Sequence, residues 1–592
     1  MPKQSAVLLE AVEQYLDGLP GNVRPLGTSD LAAYPRRNAV RGWRLNVHFS
    51  DRQRRLDLLL DKSFPRTPVS VMLVDRPAFL DWPHVEDDGK LCLVPNMAEV
   101  DPSNPAGMFA NQLGAACALV EDSIAGRTVE DFRREFATYW DWRAKCDGRA
   151  LRSLLDPLGP SRPVRLWQGK RFRLVGESDA AITHWLSGVR SIGADEIART
   201  SPALLLRIER PLFPLEYPQS GADLERLAIA VGAVDLLHEL VRSEKELAII
   251  LAAPGEEGTC LVGVMVPALQ YARNQQTGRI NGFRPGKAPA RLVQLARLGG
   301  TVVRRVGVQR VDARWIHGRD ADPRAAALQG RCAAIIGCGS IGAQVAMALA
   351  QAGVGRLILI DPELLVAANI GRHVLGAEYI GVAKATALAA RIRASLPHVD
   401  VEARISDWQA VADSEPALLA ADLVVSAIGS WADEGALDAW RRAATLSPAV
   451  LYGWTEAHAV GGHAVALFGD GCLACGLSQL GEPVLRVANW PRATARREAG
   501  CGSFYQPYGP VDLMNVNAMI ADLALDCLLG TVEHSTHRIW AAGQAAITRA
   551  GATWTVEFRK IAPVATGLGA FTIERDWPTS ATCHECGRTM AA

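Results

Sequence analysis

From about residue 306 onwards, short apolar runs alternate regularly with alanine-rich stretches of helical periodicity. Short apolar runs are typical of buried strands, and the stretches between them are long enough for crossover helices. The alternation predicts a mostly parallel α/β sheet with right-handed connections. Its strand candidates are residues 333–336, 357–360, 399–403, 423–426 and 450–452.

The beginning of the chain follows a different pattern. Residues 4–16 have the apolar spacing of a helix, and strand candidates at 43–49, 56–60 and 69–74 accompany a proline-broken turn at 64–68. A helix, a short meander and a long irregular segment predict a compact α+β domain that ends near residue 150.

The middle of the chain carries strand candidates at 204–208 and 247–251, separated by proline-rich joints such as 210–214. We find no residue pattern there that indicates chemistry, so we expect a β-containing domain that links or positions the others. The predicted domains are residues 1–150, 151–305 and 306–592.

Composition narrows the class of protein. The chain has 592 residues, 49% hydrophobic and 21% charged, which is typical of a folded multidomain protein. Lys plus Arg and Asp plus Glu both number 63, so the zero net charge argues against direct binding of nucleic acid or of an anionic membrane surface.

Two terminal and compartment features are also informative. Residues 332–355 lack charge, but their five glycines follow a strand–turn–helix rhythm, which argues against a membrane span. The N-terminus lacks the apolar core of a secretory signal, so we expect a cytoplasmic protein. Its twelve cysteines are then thiols, nucleophiles or metal ligands rather than a disulfide framework.

A glycine-rich turn predicts a nucleotide site. Gly337, Gly339 and Gly342 follow an apolar strand and open a helix, and Asp361 ends the next strand. In this context the glycines permit close backbone approach, the helix N-terminus faces phosphate, and the acid accepts hydrogen bonds from a ribose. These residues alone do not decide between NAD and ATP.

The residues beyond Asp361 favour ATP. Asn369, Arg372 and Lys384 gather an amide, a guanidinium and an ammonium group, which suit a triphosphate with a leaving pyrophosphate better than a nicotinamide. With Asp361 they match the spacing of the ThiF/MoeB group, the adenylating domain shared with ubiquitin-activating enzymes, which this region resembles. The resemblance implies a Rossmann-like fold, ATP, Mg²⁺ and a homodimer.

Arg310 leaves an alternative open in this resemblance, and Gly429 departs from the family's pattern. Arg310 stands at the spacing of the family's N-terminal arginine, which reaches ATP across the dimer interface; the alternative is a surface residue in an arginine-rich segment. Gly429 occupies the position where the family usually places its magnesium-binding aspartate. Asp433 or Glu434 is the candidate substitute, acting through water.

Two CxxC pairs predict a structural zinc site. Cys472, Cys475, Cys583 and Cys586 supply four thiolates, which suit tetrahedral zinc and leave no open position for chemistry. The adenylating domains that this region resembles carry two such pairs in the same order. We expect His584, inside the second pair, to be a bystander.

Cys501 is the candidate acceptor of an activated carboxylate. It lies between glycines and follows Arg492, Arg496 and Arg497, which favour a thiolate. In the ThiF/MoeB-like activating enzymes the crossover-loop cysteine occupies this place. The alternative is a loop thiol without a role.

A second candidate thiol, Cys92, lies in the first domain. The turn 64–68 and residues 89–93 resemble those of ubiquitin-conjugating domains, in which a His-Pro-Asn triplet precedes the active cysteine. Here Trp82-Pro83-His84 stands in place of that triplet, so His84 takes the position of the asparagine. The alternatives are a buried structural cysteine and a histidine that only stabilises the turn.

The order of these domains is similar to that of the fused activating and conjugating enzymes of CBASS anti-phage operons. The resemblance implies activation of a protein C-terminus by ATP, a thioester on Cys501, transfer to Cys92 and ligation to a target lysine. It implies a cyclic-nucleotide synthase as the conjugated protein, with a dedicated ubiquitin-like protein as the alternative. An NAD-dependent dehydrogenase and a non-catalytic scaffold are the competing functions.

Overall fold

The computed structural model divides the chain into two compact units. One comprises Met1–Leu151, Pro157–Val164 and Ser201–Gln309, and the other comprises Arg152–Asp156, Arg165–Thr200 and Arg310–Ala592. The described residues are 3–20, 22–93, 100–142, 144, 149–189, 199–241, 245–256, 258–268, 283–284, 287–414, 417–444, 447–497, 504–562 and 569–587. Within these ranges no helix is both long and apolar enough to cross a membrane.

The first unit begins with an α+β arrangement, as predicted. Its antiparallel sheet follows chain order through strands Arg24–Pro25, Ala39–His48, Gln53–Asp61 and Ser70–Leu73. Its helices are Lys3–Asp17, Thr28–Ala32, Pro105–Ile124, Asp131–Arg134 and Phe136–Asp141.

Alternation of side chains explains how this sheet is covered. Leu56, Leu58 and Leu60 project to one face and pack with Phe109 of the long helix, while Leu59 projects to the opposite face. This two-residue period is what a strand requires, and both faces are buried. The sheet is therefore a rigid base for the loop that leads to Cys92.

The rest of the first unit contains a second group of strands, including both that the sequence predicted in the middle of the chain. Thr200–Arg207 pairs in parallel with Leu247–Gly255, which forms a hairpin with Gly258–Val266, and that strand pairs with Arg304–Arg310. The accompanying helices are Gly221–Ala230, Val234–Leu240 and Ala290–Gly300. The buried Trp140 packs into the same core and donates its indole N–H to the Val306 carbonyl oxygen, 3.2 Å away.

The second unit is built on the predicted α/β sheet. In spatial order, the strands of the sheet as far as it is described are Asp400–Arg404, Arg356–Ile360, Cys332–Ile336, Leu423–Ser426, Ala449–Thr455, Gly461–Leu467, Thr536–Ala541 and Phe571–Asp576. The first five are parallel and the last three are antiparallel.

Helices and short elements surround this sheet. The helices are Ala313–Gly318, Pro323–Gln329, Gly342–Ala352, Lys384–Ser395, Trp408–Ser414, Trp431–Ala443, Pro510–Leu529, Gln544–Arg549 and Val556–Ile561. From Arg165 onwards, the hairpin Arg162–Gln168 with Phe172–Gly176 belongs to this unit, as does the helix Asp179–Ser187. So do the last two residues of strand Ala150–Ser153.

Strand order places a crevice at the carboxyl ends of the central strands. Cys332–Ile336 has Arg356–Ile360 on one side and Leu423–Ser426 on the other, so the connections from it and from its neighbour diverge. In open α/β sheets such a switch point, at the carboxyl ends of the strands, is where ligands bind. The glycine turn and Asp361 both follow strands that end there.

Candidate active sites

The glycine turn joins strand Cys332–Ile336 to the helix that begins at Gly342. Gly337 has a left-handed backbone with φ of 85°, and a Cβ atom on Gly342 would lie 1.9 Å from the Gly337 carbonyl oxygen. Gly339 differs, because a Cβ atom there would meet nothing within 4 Å, and its backbone lines two cavities. The outer glycines are therefore needed by the turn itself, whereas Gly339 leaves room for a ligand.

Asp361 is buried beside this turn. Its carboxylate accepts hydrogen bonds from the backbone N–H groups of Cys338 and Glu363, each at 2.7 Å. Burial raises the pKa of Asp361, and the two backbone donors oppose that effect. Since a carboxylate accepts about four hydrogen bonds, Asp361 can still accept from a ligand hydroxyl in the 280 Å³ cavity that it lines.

The structure brings Asn369, Arg372 and Lys384 together on the wall of a larger cavity of 510 Å³. The Lys384 side chain is buried and its ammonium group pairs with Glu363. The Arg372 guanidinium lies over the Tyr508 ring, 5.4 Å from the ring centroid. Two cations and an amide therefore border one space, as binding of a polyphosphate requires.

His373 is a cavity residue to which the sequence analysis gave no role. Its Nε2–H donates to the Cys338 carbonyl oxygen at 2.7 Å, and its Nδ1 accepts from the Leu375 N–H at 3.1 Å. Burial lowers the pKa of His373, so the imidazole is neutral. Its position directly after Arg372 was the available signal that it borders the same site.

Glu434 reaches the tip of strand Leu423–Ser426, where Gly429 replaces the usual aspartate. Its Oε1 accepts hydrogen bonds from the Gly429 N–H at 3.2 Å and from the Ser426 hydroxyl at 3.4 Å. The side chain lines the larger cavity, and burial raises its pKa to about 7. Helix Trp431–Ala443 thus delivers a carboxyl group to the place that the strand leaves without one.

The larger cavity also has apolar side chains in its wall. Trp431, Trp454, Leu473 and Leu477 line it together with Arg372 and Lys384. A cavity with both cations and apolar side chains accommodates a charged nucleotide beside an uncharged chain.

Cys92 lies at the surface of the first unit, just after the bridge between Val85 and Leu91. Its N–H donates to the His84 carbonyl oxygen at 2.9 Å, and its sulfur lies 3.8 Å from Glu86 Oε1. Exclusion of solvent around the sulfur, together with the Glu86 carboxylate, raises the pKa of the Cys92 thiol. Because its pKa is raised, the thiol is mainly protonated at neutral pH. The thiolate is the form that reacts.

His84 adjoins Cys92 and is held from several directions. Its backbone is left-handed, with φ of 60°, a conformation that histidine adopts more readily than most residues. The backbone N–H donates to the Tyr139 hydroxyl at 3.0 Å. In the side chain, Nε2 lies 3.1 Å from Asp131 Oδ2 and Nδ1 lies 3.9 Å from Glu135 Oε2.

Comparison with known families gives one match in each of the two units. Residues 322–549 match the ThiF family, and residues 20–147 match the prokaryotic E2 family B. The chain joins an E2-like domain to a ThiF domain. It is accordingly an enzyme of the ubiquitin-activating and ubiquitin-conjugating-like ligase class.

Relatives extend this similarity over most of the chain. The ATP-dependent ubiquitin transferase-like protein Cap2 of Pseudomonas aeruginosa is 24% identical over 521 residues, which cover 83% of this chain and 89% of the relative. A Cap2 protein of Vibrio cholerae is 27% identical over 259 residues, which cover 41% of this chain and 43% of the relative. Among solved structures, Escherichia coli MccB is similar to 45% of this chain and 69% of its own, with 16% identity and a TM-score of 0.32.

Arg310, which precedes the residues that match the ThiF family, is not among the residues that line the two cavities described above. Its guanidinium pairs with Asp312 at 2.8 Å and with Asp320, and lies over the Trp315 ring. These interactions hold the side chain within its own protomer. The role of Arg310 across a dimer interface stays a prediction.

Cys501 lies outside the described residues, so only its surroundings in the chain are defined. Strand Arg496–Arg497 pairs antiparallel with Phe504–Tyr505, on either side of it in the sequence. Gln506 and Tyr508, which follow directly, line the larger cavity of the ThiF domain. The chain therefore returns to the cavity wall within a few residues of Cys501.

The four predicted zinc ligands converge. The sulfur atoms of Cys472, Cys475, Cys583 and Cys586 lie within 4.8 Å of one another, with a 3.8 Å separation between Cys472 and Cys583 and 3.5 Å between Cys475 and Cys586. Zn–S bonds of about 2.3 Å give a tetrahedron with edges of about 3.8 Å, so the cluster fits zinc. His584 is not a member of the cluster.

Proposed function

We propose that this enzyme uses ATP to activate the C-terminus of a protein and joins it to a lysine of a target through two thioesters. The observation that carries the proposal is the convergence of Asn369, Arg372 and Lys384 beside Gly339 at the switch point of the sheet. The Cys92 and His84 pair in the E2-like domain supplies the second half of the reaction.

The first step is adenylation. The terminal carboxylate attacks the α-phosphate of ATP, and Arg372 and Lys384 balance the charge on the departing pyrophosphate. Asp361 accepts a hydrogen bond from the ribose. Mg²⁺ would neutralise further phosphate charge, and Glu434, or Asp433 through water, is the residue we expect to hold it.

The following steps move the acyl group between sulfur atoms. The Cys501 sulfur attacks the carbonyl carbon of the acyl-adenylate, so that a C–S bond forms, the C–O bond to phosphate breaks and AMP leaves. The Cys92 sulfur then takes the acyl group by thioester exchange. Attack by a lysine amine forms the isopeptide bond and returns the Cys92 thiol.

The apolar side chains of the larger cavity favour a substrate tail without charge next to its terminal carboxylate. Trp431 and Leu473 line the same space as the cations. A terminal glycine or another small residue brings the carboxylate to the phosphate without filling that space. The substrate we propose is therefore a protein whose C-terminus ends in a small residue.

The biological setting is part of the proposal. Similarity to the Cap2 proteins, together with the fusion of an E2-like and a ThiF domain in one chain, supports an anti-phage CBASS role. In that role we propose a cyclic-nucleotide synthase as the conjugated protein, and the alternative is a dedicated ubiquitin-like protein. We further propose a cytoplasmic homodimer with one structural zinc per chain, for which the geometry of the four cysteines fits.

ATP–pyrophosphate exchange tests the proposed function. Exchange should depend on a small protein encoded beside this chain, and a reductant-sensitive adduct of that protein should appear on a gel. No exchange with any neighbouring protein, together with oxidation of a substrate by NAD, would instead show a dehydrogenase. Absence of all three activities would show a scaffold.

A further inference from the structure

We propose that Asp131 is a positioning residue that holds the His84 imidazole beside Cys92 for the attack of a lysine amine on the thioester. The proposal rests on the function proposed above, because it concerns the last step of that reaction. It goes beyond the motif around Cys92, since Asp131 lies on a helix 47 residues further along the chain.

The contact between Asp131 and His84 has the geometry of a hydrogen bond. Nε2 of His84 and Oδ2 of Asp131 are 3.1 Å apart, and both side chains are about one-fifth exposed. The other carboxylate oxygen of Asp131 accepts from Arg134 at 2.9 Å. Arg134 thus holds one carboxylate oxygen, while the other oxygen is directed at the imidazole.

The backbone of His84 is fixed as firmly as its side chain. Its left-handed conformation is held by the donation to Tyr139 and by the hydrogen bond that its carbonyl oxygen accepts from Cys92. Conformations of this kind persist when the surrounding structure determines them, and they concentrate at functional sites. Side chain and backbone together therefore place the imidazole at a set position relative to Cys92.

Holding Nε2 determines what the other ring nitrogen does. A neutral imidazole that donates Nε2–H to Asp131 has its lone pair on Nδ1. Nδ1 lies 3.9 Å from the Glu135 carboxylate, which is 46% exposed. Tyr139 is in edge contact with the ring, and Cys92 meets His84 through the backbone, where its N–H donates to the His84 carbonyl oxygen. With Nε2 engaged by Asp131, Nδ1 is the nitrogen left to accept the proton of the amine.

This arrangement assigns the proton in the final step. The amine nitrogen attacks the thioester carbonyl carbon, the C–N bond forms, the C–S bond breaks and sulfur leaves as the Cys92 thiolate. The proton lost by the amine passes to Nδ1 of His84 and then to the thiolate. No oxidant, reductant or further reactant is needed.

The test follows discharge of Cys92 in the full-length enzyme. Cys92 is loaded by thiol exchange with a fluorescein-labelled peptide thioester ending in glycine, and the signal that disappears in Cys92→Ala identifies its adduct. Discharge to free L-lysine is then timed from pH 6 to 9 for the wild type, Asp131→Ala, Asp131→Asn, His84→Ala and the double variant Asp131→Ala/His84→Ala. Glu130→Gln, which changes the exposed neighbouring acid, is the matched control.

We expect Asp131→Ala to slow discharge at least about tenfold at pH 7, because proton transfer by a positioned side chain typically contributes about 100-fold or more. Asp131→Asn, which keeps an acceptor oxygen, should be slowed less. The decisive result is non-additivity: the double variant should be no slower than His84→Ala, and Asp131→Ala should have the pH profile of His84→Ala. Glu130→Gln should behave as the wild type.

Two outcomes overturn the proposal. One is a wild-type rate in both Asp131 variants, and the other is an Asp131→Ala effect of equal size with and without His84, which would show a purely structural role. Thermal melts identify any variant that fails to fold, and Asp131→Asn then decides. If the wild type itself shows no ATP–pyrophosphate exchange or no loading of Cys92, the proposed function fails instead. The two failures are therefore distinguishable.

Discussion

The proposed nucleotide site of the ThiF domain and the Cys92 site of the E2-like domain are built in opposite ways. Gly337 to Lys384 span fewer than fifty residues, and strand ends of one sheet bring them together. The Cys92 site instead joins a loop to helices that begin at Asp131. The first is therefore a local motif, whereas the second depends on contacts across the chain.

The two sites also differ in their electrostatics. The ThiF domain buries Asp361, whose carboxylate accepts two backbone hydrogen bonds, and Lys384, whose ammonium group pairs with Glu363, so the proposed ATP site is organised before a ligand arrives. Cys92 lies at the surface beside Glu86, which helps to raise the pKa of its thiol. This difference agrees with the proposal that a carboxylate is activated in the first site and accepted by a thiol in the second.

The largest expected effect is the loss of adenylation without loss of the chemistry at Cys92. Lys384→Ala and Asp361→Ala should each reduce ATP–pyrophosphate exchange at least about 100-fold. Lys384→Ala removes the cation that balances charge on the departing pyrophosphate, and Asp361→Ala removes the acceptor for the ribose hydroxyl. Exposed Lys560 provides a matched control, Lys560→Ala. Both variants should still discharge Cys92 that is loaded chemically. Near-normal exchange in both, with intact melting curves, would disprove the nucleotide assignment.

The next effect is the converse: loss of the chemistry at Cys92 without loss of adenylation. His84→Ala should slow discharge of Cys92 to lysine about 100-fold and leave ATP–pyrophosphate exchange unchanged. His84→Asn should retain the backbone, since asparagine tolerates the left-handed conformation. Because we propose that His84 accepts the proton, the rate of this variant should fall at neutral pH and recover as pH rises; a variant that keeps much of the rate would show that the histidine only donates a hydrogen bond. A wild-type rate for His84→Ala from pH 6 to 9 would show a structural histidine.

Zinc should affect stability of the ThiF domain rather than either chemical step. Elemental analysis should find one zinc per chain, and Cys583→Ser should lower the melting temperature by about 5–10 °C, because a closed site couples metal binding to folding. Cys92→Ser, at an exposed thiol, is the control. Carefully purified protein without zinc would contradict the assignment.

The smallest expected effect concerns Glu434. The unfolded chain releases this proton near pH 4.5, whereas burial raises the pKa in the folded chain to about 7. Because the folded state holds the proton more tightly, stability falls as pH rises through that window. Glu434→Gln should therefore raise the melting temperature at pH 8 by about 2–6 °C relative to the wild type and change it little at pH 4.5.

Exposed Glu557 supplies the control for this measurement, Glu557→Gln. If the melting temperature of Glu434→Gln differs from that of the wild type by the same amount at pH 4.5 and at pH 8, the pKa of Glu434 is not raised by burial. A fall in the Mg²⁺ dependence of exchange in the same variant would support Glu434 as the replacement for the aspartate missing at Gly429.

The comparison also explains what the sequence could predict. The parallel sheet, its central strand and the convergence of the two CxxC pairs follow from periodicity and spacing, and the structure agrees with them. Glu434 was found only as one of two neighbours, because its reach back to Gly429 depends on how helix Trp431–Ala443 packs. Asp131 was not found at all, since no local pattern connects it to His84. Local motifs reveal sites on sheet ends, whereas sites between distant segments need the fold.

The central claim is that acyl groups pass from the ThiF domain to the E2-like domain through Cys501 and then Cys92. Single-turnover reactions with ATP and the substrate protein, resolved on non-reducing gels, test it most directly. Cys92→Ala should load Cys501 and stop there, and Cys501→Ala should form the adenylate but load neither cysteine. A loaded Cys92 in the Cys501→Ala variant would contradict the relay and show direct transfer from the adenylate.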